Sequence, residues 1–146
     1  MRWTMRKEIL REEGHDVTVL RLYSPEDEKV MIEICPAYYT EDGNVFWDRY
    51  DSLRVYHTDS ARLLYPVFDR LFPVTDPDPN GWGVQERFDP TAPNWLGRED
   101  MLKLAALIKE RCSSADTAEK EFYGEVLGFI ENSAYISEIF CIFGNL

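Results

Sequence analysis

The last third of the chain, Arg98 to Phe143, constrains the fold most, because it reads as two consecutive amphipathic helices. Met101, Leu104, Ala105, Ile108 and Cys112 recur at spacings of three and four, which places them along one helical face. Glu99 and Asp100 lie in the first turn of this helix and Lys109 and Arg111 in its last, each sign matched to the backbone dipole. A second helix opens at Asp116, whose carboxylate can accept from free N–H groups, and Glu119 three positions later completes a capping-box pattern. Its stripe is Phe122, Val126, Phe129, Ile130 and Ser133, continuing to Ile136, Phe140 and Phe143 if the helix runs on. The spacing favours helix there. A buried strand over Tyr135 to Phe143 is the alternative, because periodicity over so few apolar residues does not separate the two. Either way this amphipathic layer needs an apolar partner, and the N-terminal half must supply it.

That half reads as sheet. Trp3 to Arg11, Val17 to Tyr23 and Val30 to Cys35 are rich in Val, Ile and aromatics, and turn compositions separate them at Glu13-Gly14-His15-Asp16 and Ser24 to Glu28. Pro36 is expected to end the third strand or to mark a bulge. Glu41-Asp42-Gly43-Asn44 makes a plausible hairpin loop, with Val45 to Tyr50 as a fourth strand and Leu53 to Tyr56 as a fifth. Thr58-Asp59-Ser60 offers N-cap chemistry for a helix that puts Leu64, Phe68, Leu71 and Phe72 on one side, and Pro66 should kink that helix or delay its start. The expectation is one α+β domain over 1–146: an antiparallel meander of about five strands, with the C-terminal helices packed on one face.

A chain of 146 residues with 45% hydrophobic content can bury a core without staples. No apolar run approaches the ~20 residues of a membrane span, and the charged N-terminal stretch lacks the apolar centre of a signal peptide, so a cytoplasmic protein is expected. Cys35, Cys112 and Cys141 are widely spaced among apolar neighbours and read as buried thiols, with no close pair to suggest a structural zinc site. The net charge of −11 repels nucleic acid and anionic membranes and favours encounter with cationic partners; solubility alone would also account for it.

Between Pro73 and Gly97 stand five of the eight prolines, with Trp82 and Trp95, in a connection long enough to be functional or to conceal a strand such as Val84 to Phe88. The tryptophans either fold back on the core or present contact area on a proline-stiffened loop. Asp76-Pro77-Asp78-Pro79-Asn80-Gly81 matches the first six positions of a calcium-binding EF-hand loop. The twelfth position, where a bidentate acid belongs, is Arg87, and Glu86 falls one residue early, so the string reads first as an acidic turn. His57 reads as a hydrogen-bonding residue at the start of a helix rather than a catalytic base. The chain contains no nucleophile elbow, metal-ligand helix or Gly-rich phosphate loop. No catalytic residue, metal ligand or cofactor is assigned.

A small acidic domain with N-terminal strands and C-terminal helices, closing on Ile139-Phe140-Cys141-Ile142-Phe143-Gly144-Asn145-Leu146, resembles the immunity proteins that bacteria pair with polymorphic or contact-dependent toxins. The resemblance implies cytoplasmic protection by stoichiometric binding of a cationic toxin such as a nuclease, and it transfers no functional residue by motif. The leading expectation is therefore an acidic protein-binding module that is not an enzyme. Trp82 and Trp95 would be its aromatic anchors, and Asp76, Asp78, Glu86 and Asp89 would pair with a basic partner. The alternatives are a small enzyme or calcium-dependent module centred on Asp76 to Glu86 or His57, or a structural subunit.

Overall fold

The computed structural model describes residues 3–47 and 49–146. Met1 and Arg2 of the charged N-terminal stretch, and Asp48 of the expected Val45 to Tyr50 strand, lie outside the described residues. The chain is α+β, with a mostly antiparallel sheet and the two long C-terminal helices against it.

β1 (Arg6–Glu12) and β2 (His15–Arg21) form a hairpin closed by Glu13 and Gly14 alone, both at positive φ (48° and 89°), as a tight hairpin turn requires. After β3 (Met31–Tyr39) and the two-residue β4 (Val45–Phe46), β5 (Ser52–Tyr56) does not simply extend a meander. It inserts between β2 and β3, parallel to the first and antiparallel to the second. Leu53 and Val55 are fully buried there, as suits a central strand. Among the described residues the fourth strand covers Val45 and Phe46, which pair with Tyr39 and Tyr38.

The proline-rich stretch folds further than a loop. It contains a small hairpin, β6 (Val74–Thr75) with β7 (Val84–Gln85), and a strand of the main sheet, β8 (Pro93–Gly97). The terminal segment is the strand β9 (Ile139–Gly144), antiparallel to β3 on one side and β8 on the other. The main sheet thus runs β1-β2-β5-β3-β9-β8, with β4 attached to β3. Strand β3 continues through Pro36, which faces Phe140 in register, instead of ending there. Proline is tolerated because β5 pairs only up to Ile34 and β4 only from Tyr38, leaving one side of β3 open at this point.

One continuous helical segment, 57–71, follows β5: α1 (His57–Asp59), a π-helical turn (Ser60–Leu64) and α2 (Tyr65–Leu71). The Tyr65 amide bonds Ser60 O, five residues back, and Pro66, which has no N–H to give, stands at the start of α2 just after this wider turn. The proline delays the regular helix, as the sequence suggests. The N-cap expectation fails, because neither Thr58, Asp59 nor Ser60 caps this helix with its side chain. Glu28, thirty residues upstream, receives the Thr58 amide at 2.6 Å and its hydroxyl at 2.9 and 3.0 Å. Asp59 turns back to the sheet, accepting from the amides of Leu22 (2.9 Å), Tyr23 (2.7 Å) and Ser24 (3.3 Å).

The long helices are α3 (Arg98–Ser113) and α4 (Thr117–Ile136). Asp116 caps α4 through the Glu119 amide at 2.9 Å, while the Glu119 carboxylate accepts from the Tyr23 hydroxyl at 2.5 Å. Leu104, Ala105 and Ile108 of α3 and Phe122, Val126 and Ile130 of α4 share one core with Leu20, Ile32, Ile34, Leu53, Val55, Phe140 and Ile142 of the sheet. The helix ends at Ile136, earlier than the favoured continuation to Phe143. Ser137 is extended, and its hydroxyl donates to Ala37 O of β3 and accepts from Ile139 N, steering the chain into the sheet. Tyr123, absent from the expected stripe, is buried, with its hydroxyl donating to Leu63 O at 2.8 Å and accepting from Arg111 Nε at 2.8 Å.

At the far edge of the sheet, a Cβ on Gly144 would stand 2.1 Å from the Pro90 carbonyl oxygen, which accepts from the Leu146 amide. Asn94 fixes that loop by accepting from Asp89 N and donating to Asp89 O, Ala92 O and Ile142 O. The obstacle is backbone, so it cannot swing aside. Gly144→Ala is expected to destabilise by roughly 1–3 kcal/mol in chemical denaturation, the usual cost of overpacking. A change below 0.5 kcal/mol would show that the 89–94 loop is not held against β9.

Candidate binding cleft

A cleft of about 400 Å³ opens between the turn joining β3 to β4 and the loop joining β6 to β7. Asp42, Gly43, Asn44 and Val45 line one side, Asp76, Asp78, Asn80, Gly81 and Trp82 the other, and Trp95 of β8 completes it. Four of the six expected contact residues, Asp76, Asp78, Trp82 and Trp95, therefore meet in one place. Glu86 and Asp89 are exposed and outside the lining. The Asp89 carboxylate instead accepts from the hydroxyl (2.6 Å) and amide (2.9 Å) of Thr91, and these bonds hold its pKa below the usual carboxylate value.

Asp76 organises one wall. It is 6% exposed, and its two oxygens accept from the amides of Asp78 (2.8 Å) and Trp82 (3.0 Å), while its own amide donates to Gly83 O (2.8 Å). This is an Asx turn, the chemistry Asp brings to loops. It also explains the glycine that invited comparison with a calcium loop: a Cβ at position 81 would sit 2.3 Å from Asp76 Oδ2. Among the described residues, no group of three or more His, Cys, Asp or Glu is placed to hold a metal ion. Asp78 repeats the motif by accepting from the Asn80 amide at 2.9 Å. The opposite wall is closed by Thr40, whose amide donates to Asn44 O at 2.8 Å, with Gly43 at φ 81°.

The tryptophans differ in placement. Trp82 is 65% exposed, whereas Trp95 is half-buried against Trp47 (centroids 5.6 Å apart), which in turn packs on Phe143 (5.9 Å). The Gln85 side chain pairs with both backbone groups of Trp95, donating to its carbonyl at 2.7 Å and accepting from its amide at 2.8 Å. A side-chain amide thus occupies the outer edge of β8 and fixes Trp95 beside the cleft.

Asp42, Asn44 and Val45 join the lining without having been named as contact residues from the sequence. Their acidic hairpin loop was visible, but its meeting with a loop more than thirty residues later was not. Tyr39, 45% exposed, also senses this region: burial and then the charges of Asp78, Asp76 and Glu138 raise its pKa above the ordinary value. His57 lies elsewhere, with its ring edge-on to Tyr65 (6.1 Å) and its amide bonded to Val30 O (2.8 Å). Among the described residues, no helix is long and apolar enough to cross a membrane.

Comparison with protein-family models, with curated proteins and with solved structures finds no match to this chain.

Proposed function

We propose that the protein is a non-catalytic binding module whose acidic, aromatic cleft receives a cationic surface of a partner protein, in the manner of an immunity protein that occludes a basic toxin such as a nuclease. The observation that carries this reading is the convergence of Asp76, Asp78, Trp82 and Trp95 on one cleft, with Trp82 largely in solvent. An exposed aromatic supplies contact area at low entropic cost, and it is set beside carboxylates on a loop whose shape the Asp76 turn already fixes. The net charge of −11 would steer a basic partner toward this surface, so binding should weaken as salt rises.

The test is capture of partners from the source lysate at low salt by the intact protein and by Trp82→Ala. A stoichiometric basic protein, released by salt and bound at least about tenfold more weakly by the variant, is the expected result for an aromatic anchor. Because Trp82 is exposed, the variant should keep its thermal midpoint within about 2 °C. Equal capture by both proteins would move the contact surface away from the cleft.

A further inference from the structure

Among the described residues three arginines lie over tyrosine rings: Arg21 over Tyr56 at 4.0 Å, Arg49 over Tyr38 at 3.9 Å and Arg62 over Tyr23 at 4.0 Å. In two of these a carboxylate completes the group, Glu26 at 3.5 Å from Arg21 and Glu119 at 4.0 Å from Arg62. The cleft repeats the aromatic and carboxylate parts with Trp82, Trp95, Asp42, Asp76 and Asp78, yet its described lining contains neither Lys nor Arg. Asp76 already spends one lone pair per oxygen on the loop, and each carboxylate oxygen has a second to offer. The raised pKa of Tyr39, to which Asp78, Asp76 and Glu138 contribute after burial, agrees with an excess of negative potential here.

We infer that the cleft is the receptor for a single arginine side chain projecting from the basic partner, its guanidinium plane set against the tryptophans and its N–H groups directed to the carboxylates. This deepens the function proposed above and rests on it. Arginine is selected over lysine for three reasons: its planar ion stacks on an aromatic face, its fork matches carboxylates bidentately, and it gives up its hydration more readily than an ammonium. The volume, near the lower end for ligand sites, suits one side chain better than a folded surface element.

The experiment is a titration of the intact protein with capped pentapeptides Gly-Gly-Xaa-Gly-Gly, where Xaa is arginine, lysine or citrulline, followed through the indole N–H signals of the four tryptophans by NMR. Saturable movement of the Trp82 and Trp95 signals, with arginine bound roughly fivefold or more tightly than lysine and citrulline failing, is the expected result. Trp82→Ala and Asp78→Asn should each weaken the arginine peptide severalfold; both positions lie on the surface loop, and the folded state of each variant is read from the same spectrum. Arginine and lysine bound alike would overturn the arginine assignment, and would leave the binding module standing if partner capture still depends on Trp82. Peptide shifts confined to Trp3 or Trp47, or absent for every peptide, would also overturn it. If partner capture were in addition indifferent to Trp82→Ala, the cleft would fall as the contact surface altogether.

Discussion

Replacing Asp59 by alanine is expected to cost about 3–5 kcal/mol of folding stability, a large part of what a domain of this size possesses. The carboxylate is fully buried and accepts from three consecutive backbone amides, Leu22, Tyr23 and Ser24, where the chain leaves β2. Those amides have no strand partner, and buried N–H groups must be paired. Alanine removes the acceptor and leaves all three amides without it, with an unsatisfied-donor penalty of ~1–3 kcal/mol for each that stays buried, reduced to the extent that water fills the vacated space. Asp59→Asn keeps the shape but replaces one acceptor oxygen by a donor, so it should fall between wild type and alanine. Thermal and denaturant unfolding decide the matter: an alanine variant within 1 kcal/mol of wild type would mean that the turn after β2 finds other acceptors. At ~2–4 °C per kcal/mol for chains of this length, the expected loss corresponds to a Tm lower by roughly 10 °C.

The same residue shows where sequence reading stops. Thr58-Asp59-Ser60 has the composition of an N-cap, but the helix takes its cap from Glu28 and spends Asp59 on amides that precede it by more than thirty residues. Local propensity cannot distinguish a carboxylate serving its own helix from one serving a distant turn. Where the signal is local it succeeds. Glu99 and Asp100 mark the first turn of α3, and Asp116 caps α4 through Glu119 as its spacing implies. Over 139–143 the favoured helix gives way to the strand alternative for a second reason. Ile139, Phe140, Cys141 and Ile142 are buried on both faces of a sheet interior, and a continuous apolar run carries no period to tell strand from helix. Trp95 illustrates a third: neighbouring prolines argue for loop, yet Pro93 is admitted to β8 because that strand is the edge of the sheet. The cleft was half legible. Residues within the β6–β7 loop could be grouped by sequence, whereas Asp42 and Asn44 join them only through the pairing of β4 with β3.

The second large effect is expected on the sheet face away from the helices, where Arg54 of β5 is held between two acids. Its Nε donates to Glu33 Oε1 at 2.5 Å, its terminal nitrogens donate to Glu12 at 3.0 and 3.3 Å, and the Ser52 hydroxyl donates to the second Glu33 oxygen at 3.3 Å. Glu33 and Arg54 side chains are only 8% and 14% exposed, so each is a poorly hydrated charge that depends on the other. Burial would lower the arginine pKa, but the hydrogen bonds to Glu12 and the charge of Glu33 outweigh it and raise it, so Arg54 stays charged in its part-buried place. Glu33→Leu leaves the guanidinium with Glu12 as its carboxylate partner and should cost about 3–4 kcal/mol; Arg54→Met, which strands the Glu33 carboxylate, should cost a similar amount. Pairing Arg54→Met with Glu33→Leu removes both charges and restores apolar packing. The double variant is therefore expected to be more stable than the sum of the single changes implies by at least about 2 kcal/mol. A double-mutant cycle by chemical denaturation measures this coupling directly. Strict additivity would mean that the two charges are hydrated independently in the folded protein, and that Glu33 owes its place in β3 to the strand alone rather than to Arg54.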